Sequence, residues 1–149
     1  MYVAQFNISI ERESLDHPTM KDFVERLEPV NAEADVWDGF VWRLHDDTGN
    51  ATDIRAFDDQ RIIFNLSVWK SVETLKHFVY QSSHRAMLKR RLDWFERIVE
   101  PSYVLWWVDE SERPSVEEAK SRLKQLQEHG PGPSVFTFDS VPVPDSSDA

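Results

Sequence analysis

The run Tyr103-Val104-Leu105-Trp106-Trp107-Val108 has no polar parity. Successive side chains of a strand face opposite sides of a sheet, so a strand apolar at both odd and even positions needs cover on both faces. That requirement limits this chain more than any other feature. A sheet built from such strands has a second face that must be solvated or covered, and apolar residues on both parities favour cover.

The other segments show which elements surround it. Tyr2 to Ser9 alternates, with Tyr2, Ala4, Phe6 and Ile8 opposing Val3, Gln5, Asn7 and Ser9. Asp16-His17-Pro18 reads as a helix start, and Met20, Phe23, Val24 and Leu27 follow at helical spacing until Pro29 ends or kinks the helix. Gly39 to His45 is a second strand, with Phe40, Trp42 and Leu44 opposing Val41, Arg43 and His45. Residues 46 to 60 read as a loop or long hairpin connection, and Arg61 to Trp69 as a third strand. Ser71 caps the next helix, with Thr74 at the capping-box position and Glu73 in the first turn. Gln81-Ser82-Ser83 breaks it, and a further helical segment runs from about His84 to Val99 before the fourth strand, Tyr103 to Val108. Ser115 to Glu118 forms a capping box for a last helix that stops at Gly130, and Val135 to Phe138 adds a short edge strand.

The order is β-α-β-β-α-β followed by a helix and a strand. The expected fold class is α+β: a ferredoxin-like antiparallel sheet with helices on one face. The second face then needs cover, and a second copy of the chain supplies it, so a homodimer is expected. Residues 1–141 read as one domain. Residues 142–149, rich in Pro, Ser and Asp, read as a disordered tail.

Charge and composition narrow the functional classes. A formal net charge of −10 over 149 residues argues against a nucleic-acid partner, and the basic group Lys89-Arg90-Arg91 spreads over several faces of a helix. No cysteine is present, so disulfides, thiol nucleophiles and thiolate metal sites are excluded. No signal-peptide pattern is visible at the start, and no apolar run approaches the roughly 20 residues that span a bilayer. A cytoplasmic protein without a membrane or nucleic-acid partner is the expectation. Histidine spacing supports no metal site, because His77 and His84 are seven apart and no H-x-H or H-E-x-x-H occurs.

The candidate site residues fall in and around Val68–Val108. His84, Leu88, Arg91 and Phe95 share a helical stripe with Met87, Trp94 and Ile98. An imidazole in such surroundings can act as general base, haem ligand or hydrogen-bond donor, and a guanidinium can hold a carboxylate or stabilise an oxyanion. The same pair serves equally as packing, with His84 bonding a backbone carbonyl and Arg91 pairing with a carboxylate. Gln5, Asn7, Arg43, His45, Asn65 and Ser67 share one strand parity, which suits a barrel interior or cleft for a polar organic molecule, a solvated face, or a polar dimer interface. Of the six tryptophans, Trp42 and Trp106 read as core. Trp69, Trp94 and Trp107 cluster with His84 and Arg91 in sequence and are the ligand-contact candidates, together with Asn7 and Asn65.

The chain also resembles a domain-of-unknown-function family of the dimeric α/β-barrel superfamily, distantly similar to antibiotic biosynthesis monooxygenases. The resemblance rests on Trp69-Lys70-Ser71, Glu73, Leu75 and Phe78, then His84, Arg91, Trp94-Phe95 and Leu105-Trp106-Trp107. It continues through Pro114, Glu118-Ala119, Arg122-Leu123, Leu126, Gly130-Pro131 and Phe136-Thr137-Phe138, and includes Gly39 to Leu44 and Gly49 to Arg55 upstream. It implies a dimeric barrel fold and a homodimer, with no cofactor specified. More distant members include small-molecule monooxygenases, haem-degrading oxygenases, chlorite dismutase-like proteins and muconolactone isomerases, and a shared fold does not transfer their chemistry. In haem-degrading relatives a first-strand Asn, a Trp and a helix His work together. Asn7 matches the first, Phe78 stands nearest the second, and His84 falls a few residues early. The expectation is a small homodimeric protein acting on a hydrophobic small molecule, monooxygenase-like or isomerase-like, with His84 and Arg91 as catalytic residues. The alternatives are a non-catalytic small-molecule or haem-binding module and a dimerisation domain without ligand.

Overall fold

The structure, a computed structural model, describes residues 1–45 and 56–144. The resembling segment Gly49 to Arg55 and the last five residues of the expected tail lie outside the described residues. Four strands form one antiparallel sheet: β1 (Tyr2–Ile10), β2 (Phe40–Arg43), β3 (Ile62–Trp69) and β4 (Tyr103–Val108), in the order β2-β3-β1-β4. The helices are α1 (Lys21–Asp35), α2 (Val72–Gln81), α3 (His84–Lys89), α4 (Arg91–Trp94) and α5 (Val116–His129). The chain is therefore α+β, as its periodicities predict.

Both faces of the sheet are covered, and each by this chain. Val3, Trp69 and Leu105 pack under Val30 and Ala34 of α1 and Val72, Leu75 and Phe78 of α2. On the opposite parity, Ala4, Phe6, Leu66, Val68, Val104 and Trp106 pack under Ala119, Leu123 and Leu126 of α5, with Val135 beside them. The reason for expecting a second copy therefore falls away, because α5 supplies the second apolar layer. Periodicity identifies the buried stripe of α5, but not the face it meets.

The caps lie where the sequence places them. Ser71 Oγ accepts from the Thr74 N–H at 3.1 Å, and Ser115 Oγ accepts from the Glu118 N–H at 3.1 Å. Gly130 ends α5 at φ +79°, its N–H donating to the Leu126 carbonyl at 2.9 Å. At the other end of the molecule His17 Nδ1 accepts from the Thr19 N–H at 3.1 Å and opens a 3-10 turn, Pro18–Met20, that leads into α1.

Four local expectations are corrected. Pro29 does not end α1, which continues to Asp35. Phe23, Leu27, Val30 and Ala34 keep one apolar stripe through the proline, and Pro29 itself is exposed, so its carbonyl neighbours can bond water. In β2 a bulge between Phe40 and Trp42 inserts one residue. Phe40 (opposite Trp69) and Arg43 (opposite Ser67) consequently share the α1–α2 face, while Trp42 and Leu44 pack towards α5. The segment expected as one helix to Val99 is two short helices, broken at Arg90 and ended at Trp94, after which Phe95 bridges to Glu11. The expected edge strand near Val135 is a single bridge, Phe136 to Leu105.

Candidate functional site

A cavity of about 350 Å³ lies between the sheet and helices α1 to α4. Its floor is the sheet parity that begins with Val3 and ends with Ser9. Across the strands one row runs Arg43, Ser67, Gln5, Leu105, and the next runs Asn65, Asn7, Tyr103. The walls are apolar: Phe23, Leu27 and Val30 of α1, Leu75 and Phe78 of α2, Met87 of α3 and Trp94 of α4. Strand alternation places polar residues on this parity, and the helices above leave a gap because the chain between α2 and β4 is built from two short helices rather than one long one.

The floor is organised by Gln5, which is buried. Its Nε2 donates to Asn65 Oδ1 and, at 2.7 Å, to Ser67 Oγ, while its Oε1 accepts from Asn7 Nδ2 at 3.0 Å. Trp69 Nε1–H also donates to Ser67 Oγ, at 2.9 Å. Ser67 thus accepts twice, and one network ties β1 and β3 to an indole. At the β2 edge Arg43 is held by Asp35 of α1, with Nε and Nη2 at 2.7 and 3.2 Å from the two carboxylate oxygens. That bidentate geometry fixes the guanidinium and neutralises it.

His84 enters from the break between α2 and α3. Ser82 turns extended, its Oγ donating to the Phe78 carbonyl at 2.6 Å and accepting from the His84 N–H at 3.1 Å. The imidazole then lies beside the last turn of α2, with Nδ1 3.2 Å from the Val79 carbonyl and the ring 5.6 Å from that of Phe78. A carbonyl oxygen only accepts, so Nδ1 carries the proton and Nε2 of the neutral ring is an acceptor. Burial lowers the pKa of the imidazole, and the Val79 bond offsets part of that. His84 is therefore a neutral imidazole with a fixed tautomer at the cavity wall.

Tyr103, which sequence reasoning passed over, closes the β4 side. Its hydroxyl accepts from the Phe138 N–H at 3.1 Å, and its ring lies 5.6 Å from that of Phe138. Burial raises its pKa, so the phenol stays protonated. Phe138 also contacts Tyr80 of α2, at 6.1 Å, so the segment after α5 seals this end with aromatic rings. The signal for Tyr103 was present: it shares the parity of Leu105 and directly opposes Asn7.

Of the candidate residues, Asn7, Asn65, Trp69, His84, Arg91 and Trp94 all line this one cavity. Arg91 does so from an exposed position at the rim, where its Nη1 donates to the Leu88 carbonyl at 2.8 Å. Among the described residues it pairs with no carboxylate there. Trp94 is buried against Phe23, ring centroids 5.5 Å apart, and its Nε1 has no partner among the described residues. Trp107 is placed elsewhere. Its ring packs on Phe136 at 5.1 Å, outside the cavity wall, because the bridge from Phe136 to Leu105 lays that ring over the end of β4. His45 is exposed beyond the end of β2 and does not join the floor residues. Among the described residues no group of three or more His, Cys, Asp or Glu is placed to hold a metal ion, and no helix is long and apolar enough to cross a membrane.

Comparison with known proteins gives a fold and a family. The structure is similar to that of Rv0793 from Mycobacterium tuberculosis, with a TM-score of 0.55 and 12% sequence identity, over 75% of this chain and 100% of that one. At that identity the likeness concerns the fold alone. No curated protein sequence matches the chain. The family described as Domain of unknown function (DUF3291) matches residues 2–149, which takes in every element described above, and the chain belongs to that family.

Proposed function

We propose that the protein binds a small, largely apolar organic molecule in the cavity beneath α1 to α4 and moves a proton on it with His84. The observation that carries this reading is the fixed tautomer of His84. A neutral imidazole held by the Val79 carbonyl through Nδ1 keeps Nε2 as an acceptor, and His84 lines a cavity whose walls are mostly apolar. A general base needs that combination of an available lone pair and a defined orientation. The reaction class it suits is proton abstraction next to a carbonyl, the first step of an isomerisation or of a cofactor-independent oxygenation. The polar floor then orients the carbonyl oxygen through a hydrogen bond. Arg91 steers or orients a ligand from the rim, which is a smaller part than the oxyanion role expected from its position on the helix.

The fold supports a finer placement. The strand order β2-β3-β1-β4 with every pairing antiparallel suits a ferredoxin-like sheet. A barrel dimer joined through the sheet would require α5 to move aside, so a homodimer is proposed only through other surfaces. Haem degradation is less well supported. The position nearest the expected Trp is Phe78, whose ring fills the wall between Trp69, at 5.2 Å, and His84.

Hydrogen–deuterium exchange at the activated carbon of enolisable ketones, 2-tetralone among them, tests the proposal when followed by NMR in D2O. The wild-type protein should accelerate exchange of a ketone that fits, and His84→Ala, shown to be folded by circular dichroism, should not. Equal acceleration by His84→Ala would remove the assigned role, and no acceleration across the panel would remove the proton-transfer reading.

A further inference from the structure

The amides on the floor form a hydrogen-bonded chain with two loose ends. Both Nε2 hydrogens of Gln5 are used, on Asn65 Oδ1 and Ser67 Oγ, and its Oε1 takes one hydrogen from Asn7. Each primary amide has two donor hydrogens and an acceptor oxygen. Asn7 Oδ1 is therefore left as an acceptor and Asn65 Nδ2 as a donor. Neither has a protein partner among the described residues, neither is sealed from solvent, and both residues line the cavity. Asn7 and Asn65 are directly opposed across β1 and β3, where facing side chains are close neighbours. Turning all three amides together would exchange donor and acceptor but still leave one of each.

The charges around this pair decide what it can hold. Arg43, the cation on the floor, is neutralised by Asp35, and Arg91 sits at the exposed rim. Among the described residues no unpaired cation stands beside Asn7 and Asn65, so an anion seated there would be desolvated without a counter-charge from them. A neutral group that carries an acceptor next to a donor would satisfy both amides.

Resting on the cavity reading above, we propose that Asn7 and Asn65 recognise a neutral ligand edge with a carbonyl oxygen beside an N–H or O–H, as in a lactam or an enolised 1,3-dicarbonyl. Carboxylates and phosphates are disfavoured at this position. The carbonyl accepts from Asn65 Nδ2 while the ligand's N–H or O–H donates to Asn7 Oδ1. The rest of the ligand fills the hydrocarbon between Phe78, Met87 and Trp94.

Calorimetric titration with three flat probes tests this. These are 2-quinolone, which has the full edge, N-methyl-2-quinolone, which lacks the donor, and naphthalene-2-carboxylate, which is an anion. The wild-type protein should bind 2-quinolone about tenfold or more tighter than either of the others, the usual penalty for leaving a buried polar group unmatched. Asn65→Leu should bring 2-quinolone down towards its N-methyl relative. Equal affinity of the two quinolones for the wild type, or tighter binding of the carboxylate, overturns the edge assignment and leaves the cavity reading intact. Failure of all three to bind overturns both. The wild-type ratio is decisive even where Asn65→Leu does not fold.

Discussion

Leu123→Ala probes the layer that makes this fold self-sufficient. Leu123 is 3% exposed and lies with Ala119 and Leu126 on the sheet face formed by Ala4, Phe6, Leu66, Val68, Val104 and Trp106. The substitution removes three buried carbons, about 2.4 kcal/mol at roughly 0.8 kcal/mol for each. A cavity term adds to this, and Leu→Ala changes in cores cost about 2–5 kcal/mol in all. The sheet beneath cannot collapse, since its central strands β1 and β3 are paired on both sides, but α5 is joined to β4 by a loop and can settle inwards by a fraction of an ångström. The lower half of the range, about 2–3.5 kcal/mol, is therefore expected. At about 2–4 °C per kcal/mol for a chain of this size, Tm should fall by roughly 4–14 °C. Urea unfolding followed by tryptophan fluorescence measures the loss, and Trp106 beneath α5 reports on this layer. The measurement should be repeated over a hundredfold range of protein concentration. A loss under about 1 kcal/mol, or a midpoint that rises with concentration, would refute the reasoning, because it would mean that another copy rather than α5 covers this face.

Two further predictions follow from single residues. Burial holds the folded-state pKa of His84 below its ordinary 6.5, so as pH falls through that value the unfolded chain takes up the proton first. Stability contributed by neutral His84 is complete above 6.5, declines as pH falls towards the folded pKa, and levels off below it. The difference between wild type and His84→Gln in urea-derived stability across pH should show that slope, and a difference that is flat or of opposite sign would count against a buried neutral imidazole. Gly39→Ala should destabilise the protein by about 1–3 kcal/mol, since Gly39 is at φ +92° and an added Cβ would stand 2.4 Å from Thr74 Cβ. An unchanged Tm would show that α2 does not start where Ser71 and Thr74 place it.

How much of the site was legible can be seen residue by residue. Gln5, Asn7, Asn65 and Ser67 were grouped by strand parity alone, and they meet on one floor because the period-2 rule holds wherever strands pair in register. Arg43 was grouped with them and joins the same floor, but the bulge in β2 brings Phe40 onto that face as well, which parity alone does not show. His84 and Arg91 were expected on one helix and instead stand on two, yet both reach the cavity, one half-buried in its wall and the other at its rim. Trp107 was grouped with them by nearness in sequence, and Phe136, a residue far along the chain, claimed it. Tyr103 was overlooked because a tyrosine at a strand start looks like packing until its hydroxyl partner, Phe138, is brought across.

The apolar run at Tyr103–Val108 by itself determined that both faces of the sheet must be covered, and the caps and spacings determined the order of elements and where most of them begin and end. Those are consequences of interactions between residues a few positions apart, so they can be read locally. Tertiary structure alone decided that α5 supplies the second layer, that the gap under α1 to α4 becomes a cavity, and that His84 Nδ1 is tied to Val79 while its Nε2 is not. Each of these depends on which distant surfaces fit together, and many pairings of apolar faces satisfy the same periodicities.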